Sequence, residues 1–133
     1  MTPPTVQFIP AAAAGFDYEL SGSASGSAST CGSQTTSVTS SPSVPNITRL
    51  LMYGTNCGGN VQISFADSAS RDSFIGNVPN GSDLVFATTA GTFTATGFSW
   101  QTYGSTARLN AASFDSFPAD LSPTQVFSLG FTI

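Results

Sequence analysis

Apolar and polar residues alternate with a period of two in several short segments of this chain. The clearest case is residues 126–133, in which Phe127, Leu129, Phe131 and Ile133 all fall on the same side. Successive side chains of a β-strand point to opposite faces of the sheet. This segment is therefore predicted to be a strand with one face in the core.

Other segments carry a strand pattern, whereas none shows a sustained period of 3.6 residues. The further predicted strands are residues 5–9, 15–20, 47–53, 61–65, 84–89, 92–103 and 105–111. Residues 66–83 are predicted to be a polar loop anchored by Phe74 and Ile75. Short strands with turn signals every ~8–12 residues predict an all-β single domain, an antiparallel β-sandwich, a jelly roll or a small barrel.

The most apolar predicted strand lies near the middle of the chain. Residues 47–53 are apolar on both faces, which is typical of a central strand covered on both sides. Residues 54–60 are rich in Gly and Asn, which adopt positive φ at low steric cost. They are predicted to turn the chain into the strand at 61–65, so that the two strands form a hairpin.

One long segment has an unusual composition. Residues 21–45 contain ten Ser, four Thr and three Gly. This composition predicts a long loop or arm between residues 1–20, with their N-terminal strands, and a main β domain at 46–133. The arm is expected to become ordered on a partner surface. As an alternative, residues 33–44 form a solvent-exposed strand, since Thr fits a pleated surface.

The alternation breaks inside residues 92–103. Phe93 and Gly97 fall on one face, whereas Phe98 and Trp100 fall on the other. A straight strand cannot place both pairs in the core. A bulge at Gly97 that returns the two aromatic residues to the core is favoured about two to one, since glycine within a strand often marks a bulge.

The other alternative places aromatic side chains on the surface. Phe98, Trp100 and Tyr103 would then form a contact surface beside polar residues. Exposed aromatic rings of this kind stack on sugars or insert into a partner protein.

Composition narrows the function classes. The chain has no His and no Lys, and only 8% of its residues are charged. General acid–base catalysis near neutral pH depends mostly on His, perturbed Lys or paired carboxylates, and Schiff-base chemistry needs Lys. The chain is therefore predicted not to be an enzyme, with no catalytic residue, no cofactor and no metal.

Charge also bears on the partners. The net charge is −4, and the three arginines, Arg49, Arg71 and Arg108, are scattered along the sequence. Nucleic-acid binding needs clustered basic residues, and membrane binding needs a basic amphipathic or long apolar segment. Neither type of partner is expected. A surface with little charge repulsion favours self-association, with a trimer as one candidate.

The carboxylates give weak indications of catalysis or metal binding. Asp17 and Glu19 share one strand face, as a glycosidase pair would, but charges on an outward strand face explain them better. Loop aspartates offer oxygen ligands for calcium, without the spacing of a known calcium loop. These are Asp67, Asp72, Asp83, Asp115 and Asp120.

The two cysteines, Cys31 and Cys57, allow one disulfide bond, and their spacing leaves open whether it forms. The N-terminal residues lack the basic and apolar regions of a secretory signal, so synthesis in the cytoplasm is expected.

These observations favour a structural protein of a virus particle, a phage capsid cement or decoration protein or a tail or fibre component. Its expected partners are other structural proteins of the assembly and further copies of itself, and its expected location is the virion. The alternative is a lectin-like, carbohydrate-binding β-sandwich that uses the aromatic residues near Trp100 and the loop aspartates.

Overall fold

The computed structural model describes residues 16–23, 32–88, 91–95, 97–110, 114–115 and 126–133, in which the chain forms eleven strands and one α-helix. The strands are β1 Tyr18–Ser23, β2 Gly32–Thr35, β3 Val38–Ser41, β4 Ile47–Tyr53, β5 Asn60–Phe65, β6 Asp83–Thr88, β7 Gly91–Ala95, β8 Ser99–Tyr103, β9 Thr106–Asn110, β10 Phe114–Asp115 and β11 Val126–Thr132. The helix, α1, is Ser68–Asn77. The predicted strand at residues 5–9 lies outside the described residues.

The strands form two antiparallel sheets. The six-stranded sheet has the order β10-β7-β6-β11-β1-β3, and the five-stranded sheet has the order β2-β4-β5-β9-β8. One cluster of buried side chains joins both sheets, with Leu20, Leu129 and Phe131 from the six-stranded sheet and Leu50 and Ile63 from the other. The predicted all-β, sandwich-like single domain is confirmed.

The hairpin near the middle of the chain is confirmed. Strand β4 pairs with β5 in antiparallel register, from Tyr53 opposite Asn60 to Leu50 opposite Ile63. Gly58 and Gly59 in the connecting turn have positive φ, as predicted. Strand β4 lies between β2 and β5 in its sheet. Its residue Leu51 points away from the core and is nevertheless only 3% exposed.

The prediction of a loop over residues 66–83 is wrong, because α1 occupies ten of them. Asp67 caps the helix, since its side chain accepts a hydrogen bond from Ser70 N at 2.7 Å. Phe74 and Val78, four residues apart, are the buried apolar residues of this segment. A helix with so narrow an apolar stripe has a weak periodic signal, and the pattern of apolar residues therefore did not predict it.

The Ser/Thr/Gly-rich segment is not a free arm where the structure describes it. Strand β2 pairs with β4 in the five-stranded sheet, and β3 pairs with β1 in the six-stranded sheet. The alternative of a Ser/Thr strand over residues 33–44 is closer to the structure, which has two strands there. The prediction that it is solvent-exposed holds in part for β3, whereas Thr35 of β2 is fully buried. The chain crosses between the sheets at residues 36–37, where a Cβ on Gly22 would lie 2.8 Å from the backbone oxygen of Ser37. Gly22 therefore lets the corner pack closely on β1.

The prediction of one strand over residues 92–103 is also wrong. Strand β7 belongs to the six-stranded sheet and β8 to the five-stranded sheet. Gly97 between them has φ +67°, which glycine adopts without steric cost. The break in alternation marks a crossing between sheets, after which Phe98 is buried and Trp100 packs against the core.

Candidate contact face

The aromatic residues singled out by the sequence pack mostly inside the sandwich. Phe98 is 1% exposed, and Trp100 is half-buried. Their ring centroids lie 5.1 Å apart, nearly perpendicular, and both rings lie 6.0 Å from Phe131. An exposed Phe98 is therefore not observed, because the crossing at Gly97 turns its side chain into the core.

Phe74 of α1 completes this aromatic cluster. Its ring centroid lies 5.7 Å from Phe131 and 5.9 Å from both Trp100 and Tyr18. A fourth contact, at 5.8 Å, joins it to Phe65. The helix therefore places one ring among aromatic side chains from both sheets.

Trp100 also ties the end of α1 to strand β8. Its indole Nε1 donates a hydrogen bond to the backbone oxygen of Val78 at 2.6 Å. Its backbone N donates to Asn80 Oδ1 at 2.9 Å, and Gly81 N donates to Phe98 O at 2.8 Å. Residues 78–81 therefore cover the outer edge of β8, and the hydrogen bonds of Trp100 stabilise this contact.

Tyr103 is the one residue of the predicted surface whose side chain is exposed, at 55%. Its hydroxyl donates a hydrogen bond to Gln101 Oε1 at 3.1 Å. Both residues lie on the face of the five-stranded sheet that points away from the core. This outer face is the candidate contact face.

Strand register aligns amide and guanidinium side chains across this face. Gln62 lies opposite Leu51 on one side and Arg108 on the other, and Arg108 lies opposite Gln101. Gln34 continues the row beyond Leu51. We call this face the amide face and define it by two rows of aligned residues. The first row is Gln34, Leu51, Gln62, Arg108 and Gln101, and the second row is Arg49, Ser64, Thr106 and Tyr103.

Hydrogen bonds hold the second row in place. Arg49 Nη2 donates to Ser64 Oγ at 3.3 Å, and that hydroxyl is 3.1 Å from Thr106 Oγ1. In the first row, Gln62 Nε2 donates to Asn60 Oδ1 at 3.0 Å. The side chains that a partner would meet are therefore partly ordered in advance.

The charges on the amide face are all positive. It carries two of the three arginines of the chain and no carboxylate. Neither Arg49 nor Arg108 forms an ion pair with a residue that the structure describes. Arg108 Nε is buried and has no hydrogen-bond partner. A buried N–H donor without an acceptor is unfavourable, so Arg108 Nε is a cost to the fold.

The third arginine and two loop aspartates are engaged within the fold. Arg71 pairs with Asp72 at 2.7 Å and also donates to the backbone oxygen of Gly104. Asp67 caps α1. In the described part of the chain, no three His, Cys, Asp or Glu side chains lie together as a metal site requires.

The Asp67 cap makes a testable contribution to acid stability. The hydrogen bond from the Ser70 backbone N–H holds the pKa of Asp67 below its ordinary value of 3.8. A lowered pKa in the folded state adds stability above the unfolded-state pKa, and this is lost as the pH falls through the folded-state value. Asp67→Asn and Asp67→Ser keep a capping acceptor that does not titrate. In urea titrations at about pH 6 and about pH 2.5, both variants should lose less stability on acidification than the wild type does. An unchanged loss in both would contradict this role of Asp67.

Cys57 lies in the turn between β4 and β5 and is disulfide-bonded. Cys31, the other cysteine of the chain, lies outside the described residues. Cys57 therefore offers no free thiol for chemistry.

Two small depressions lie elsewhere on the surface. One, of about 60 Å³, lies between α1 and the β3–β4 loop, with Ser70, Ser73 and Asn77 on one side and Tyr18 and Phe74 below. It has room for about two water molecules at ~30 Å³ each. The other, of about 220 Å³, is lined by Glu19, Ser21, Thr39, Ser40 and Ser41.

No protein-family model, curated protein or solved structure matches this chain. None of the helical residues that the structure describes belongs to a helix long and apolar enough to cross a membrane. The function must be inferred from the residues of the chain itself.

Proposed function

We propose that this chain is a non-enzymatic structural protein of a virus particle, a capsid cement or decoration protein or a tail or fibre component, which binds other structural proteins through the amide face. The observation that carries the proposal is the composition of that face, with arginine, tyrosine and neutral amides and without any carboxylate. The particle itself is inferred from the sequence, from its low charge and its Phe-rich β core.

The composition matches what protein interfaces select. Tyr and Arg are enriched at interfaces, whereas Lys, Asp and Glu are depleted. Arg108 lies on β9 and Tyr103 on the neighbouring strand β8, where Gln101 lies directly opposite Arg108. Covering neutral amide groups costs less desolvation energy than covering charges, provided the partner supplies hydrogen bonds.

The sheet edge next to the amide face is less suited to binding. Strand β8 is the edge strand of its sheet. Phe98, just before this strand, already accepts a hydrogen bond from Gly81 N at its backbone oxygen, and the backbone N of Trp100 donates to Asn80 Oδ1. A strand added at this edge would have to displace these bonds. Contact through the face therefore fits the geometry better than strand addition.

The carbohydrate-binding alternative has less support from the positions of its residues. Phe98 is buried, and Trp100 is half-buried and bonded to Val78. Asp67 and Asp72 are engaged with α1 and Arg71. Tyr103 is the most exposed of the three aromatic residues.

Incorporation into particles tests the proposal. Mass spectrometry of density-purified virus particles, from cells that produce the full chain, should find it at a fixed copy number. The double variant Tyr103→Ala/Arg108→Ala removes two side chains of the residue types that dominate interface energies, so its incorporation should fall by about tenfold or more. Ser68→Ala/Ser73→Ala, on exposed positions of α1 and outside both sheets, is the matched control and should be incorporated normally.

Two outcomes would overturn the proposal. One is the absence of the wild-type chain from purified particles. The other is specific binding to a glycan array that Tyr103→Ala abolishes, since this would favour the carbohydrate-binding alternative.

A further inference from the structure

We infer that the amide face docks on the outer face of the six-stranded sheet of a second copy of this chain, so that copies associate head to tail. The inference rests on the proposed function and names one partner for the same face. It depends on the distribution of charge over the two outer faces, on a depression beside Glu19 and on two arginines, Arg49 and Arg108, without an ion pair among the described residues.

The outer face of the six-stranded sheet is acidic. Tyr18, Leu84 and Phe131 are aligned in the register and point into the core. Their neighbours along the strands therefore point outward, among them Glu19 and Asp83. Asp17 immediately precedes β1 beside Thr132 and Ile133 and is exposed, and its carboxylate accepts a hydrogen bond from Ile133 N at 2.8 Å. We call this surface the acidic face and define it by Asp17, Glu19, Asp83 and Thr132.

No positive charge lies on the acidic face. The chain has no Lys, and its three arginines are Arg49 and Arg108 on the amide face and Arg71 on α1. The acidic face therefore carries three carboxylates and the amide face two guanidinium groups. Because the faces lie on opposite sides of the sandwich, these charges cannot pair within one copy. They can pair between copies.

The acidic face also has a place for an arginine. The depression of about 220 Å³ is lined by Glu19, Ser21, Thr39, Ser40 and Ser41, and of these Glu19, Ser21, Thr39 and Ser41 alternate with core-facing residues and point outward. A guanidinium group has five N–H donors and no acceptor, and an ionised carboxylate only accepts. Docking would place the guanidinium group of Arg108, which forms no ion pair with a described residue of its own chain, beside the Glu19 carboxylate of the next copy.

Such a contact joins different surfaces of the two copies. A heterologous contact of this kind produces rings if the rotation closes and open filaments if it does not. Either result suits a component of a regular particle, because each copy binds one neighbour through its amide face and another through its acidic face.

The direction of the salt dependence gives the first test. In sedimentation velocity of the full chain at micromolar concentration, association should be seen at about 0.02 M NaCl and weaken at about 0.5 M, because salt screens the pairs between faces. The net charge of −4 alone would have the opposite effect, since screening reduces repulsion between like-charged molecules. A monomer at low salt, or association that increases with salt, would overturn the inference.

Neutralising variants give the second test. Arg49→Gln/Arg108→Gln and Glu19→Gln/Asp83→Asn should each weaken association by about tenfold. Ser68→Glu/Ala69→Glu has the same net charge as the first variant, and Asp67→Asn/Asp72→Asn the same as the second. Both controls change exposed positions around the start of α1 and should associate like the wild type.

The variants separate the head-to-tail contact from its alternatives. A loss of association in the arginine variant alone would indicate contact between two amide faces and would overturn the inference. An equal loss in the net-charge controls would also overturn it. If the chain is incorporated into particles but stays monomeric in solution, self-docking fails and the proposed function stands. Association without incorporation would refute the proposed function.

Discussion

Replacing Phe74 with alanine is expected to lower the free energy of unfolding by about 3–5 kcal/mol. The ring is 3% exposed and lies within 6 Å, between centroids, of Tyr18, Phe65, Trp100 and Phe131. Its removal would open a cavity between both sheets and α1, because rings held by β-strands collapse only partly into the space. Urea unfolding monitored by tryptophan fluorescence and by circular dichroism measures the loss.

The neighbouring residue provides the control. Ser73 precedes Phe74 on α1 and is exposed, so Ser73→Ala should change stability by less than about 0.5 kcal/mol. A similar small change in Phe74→Ala would mean that α1 does not close the sandwich.

Replacing Trp100 with alanine is expected to cost about 3 kcal/mol. The variant loses the ring contacts with Phe74, Phe98 and Phe131, and it leaves the backbone oxygen of Val78 without its donor. Trp100→Phe keeps a ring in place but removes the indole N–H, so it should cost about 1 kcal/mol, the size of one hydrogen bond.

The comparison of the two variants decides what Trp100 does. Stability is measured by urea unfolding and self-association by sedimentation velocity, under conditions in which both variants remain folded. A Trp100→Ala protein with normal stability and impaired association would contradict the structural role and restore the exposed aromatic surface as the contact site.

The aromatic cluster therefore changes where a partner is expected to bind. The rings that the sequence marked as a contact surface are mainly used to close the core. What remains at the surface of the five-stranded sheet is polar, with Gln101, Tyr103 and Arg108 on adjacent strands. Contact through such a face relies on hydrogen bonds and a few buried anchors more than on apolar area.

Predictions from the sequence succeeded where the signal was local and strong. Strand β4 has the predicted bounds, and β5 differs from its prediction by one residue. Alternation and glycine-rich turns are properties of neighbouring residues, so they can be recognised without knowledge of the fold. The helix at Ser68–Asn77 was missed because Phe74 is the one residue within its bounds that is buried.

The candidate site was less accessible from the sequence. Gln62 and Arg108 are each outward on their own strands, but they are 46 positions apart, and only the pairing of β5 with β9 brings them together. The surface position of Tyr103 was anticipated as one of two alternatives. The alternative that exposes Tyr103 also exposes Phe98. It is wrong for Phe98 because the chain crosses between the sheets at Gly97 instead of continuing as one strand.

The sequence by itself determined that this protein is all-β, that most of its core strands lie where the alternation places them, and that its surface carries few charges. Only the tertiary structure decided which strands share a sheet, how their side chains align, and that guanidinium and carboxylate groups lie on opposite faces of one sandwich. The physical reason is that alternation is a local property with a period of two, whereas register depends on pairing between distant segments. The contact face is a product of that register.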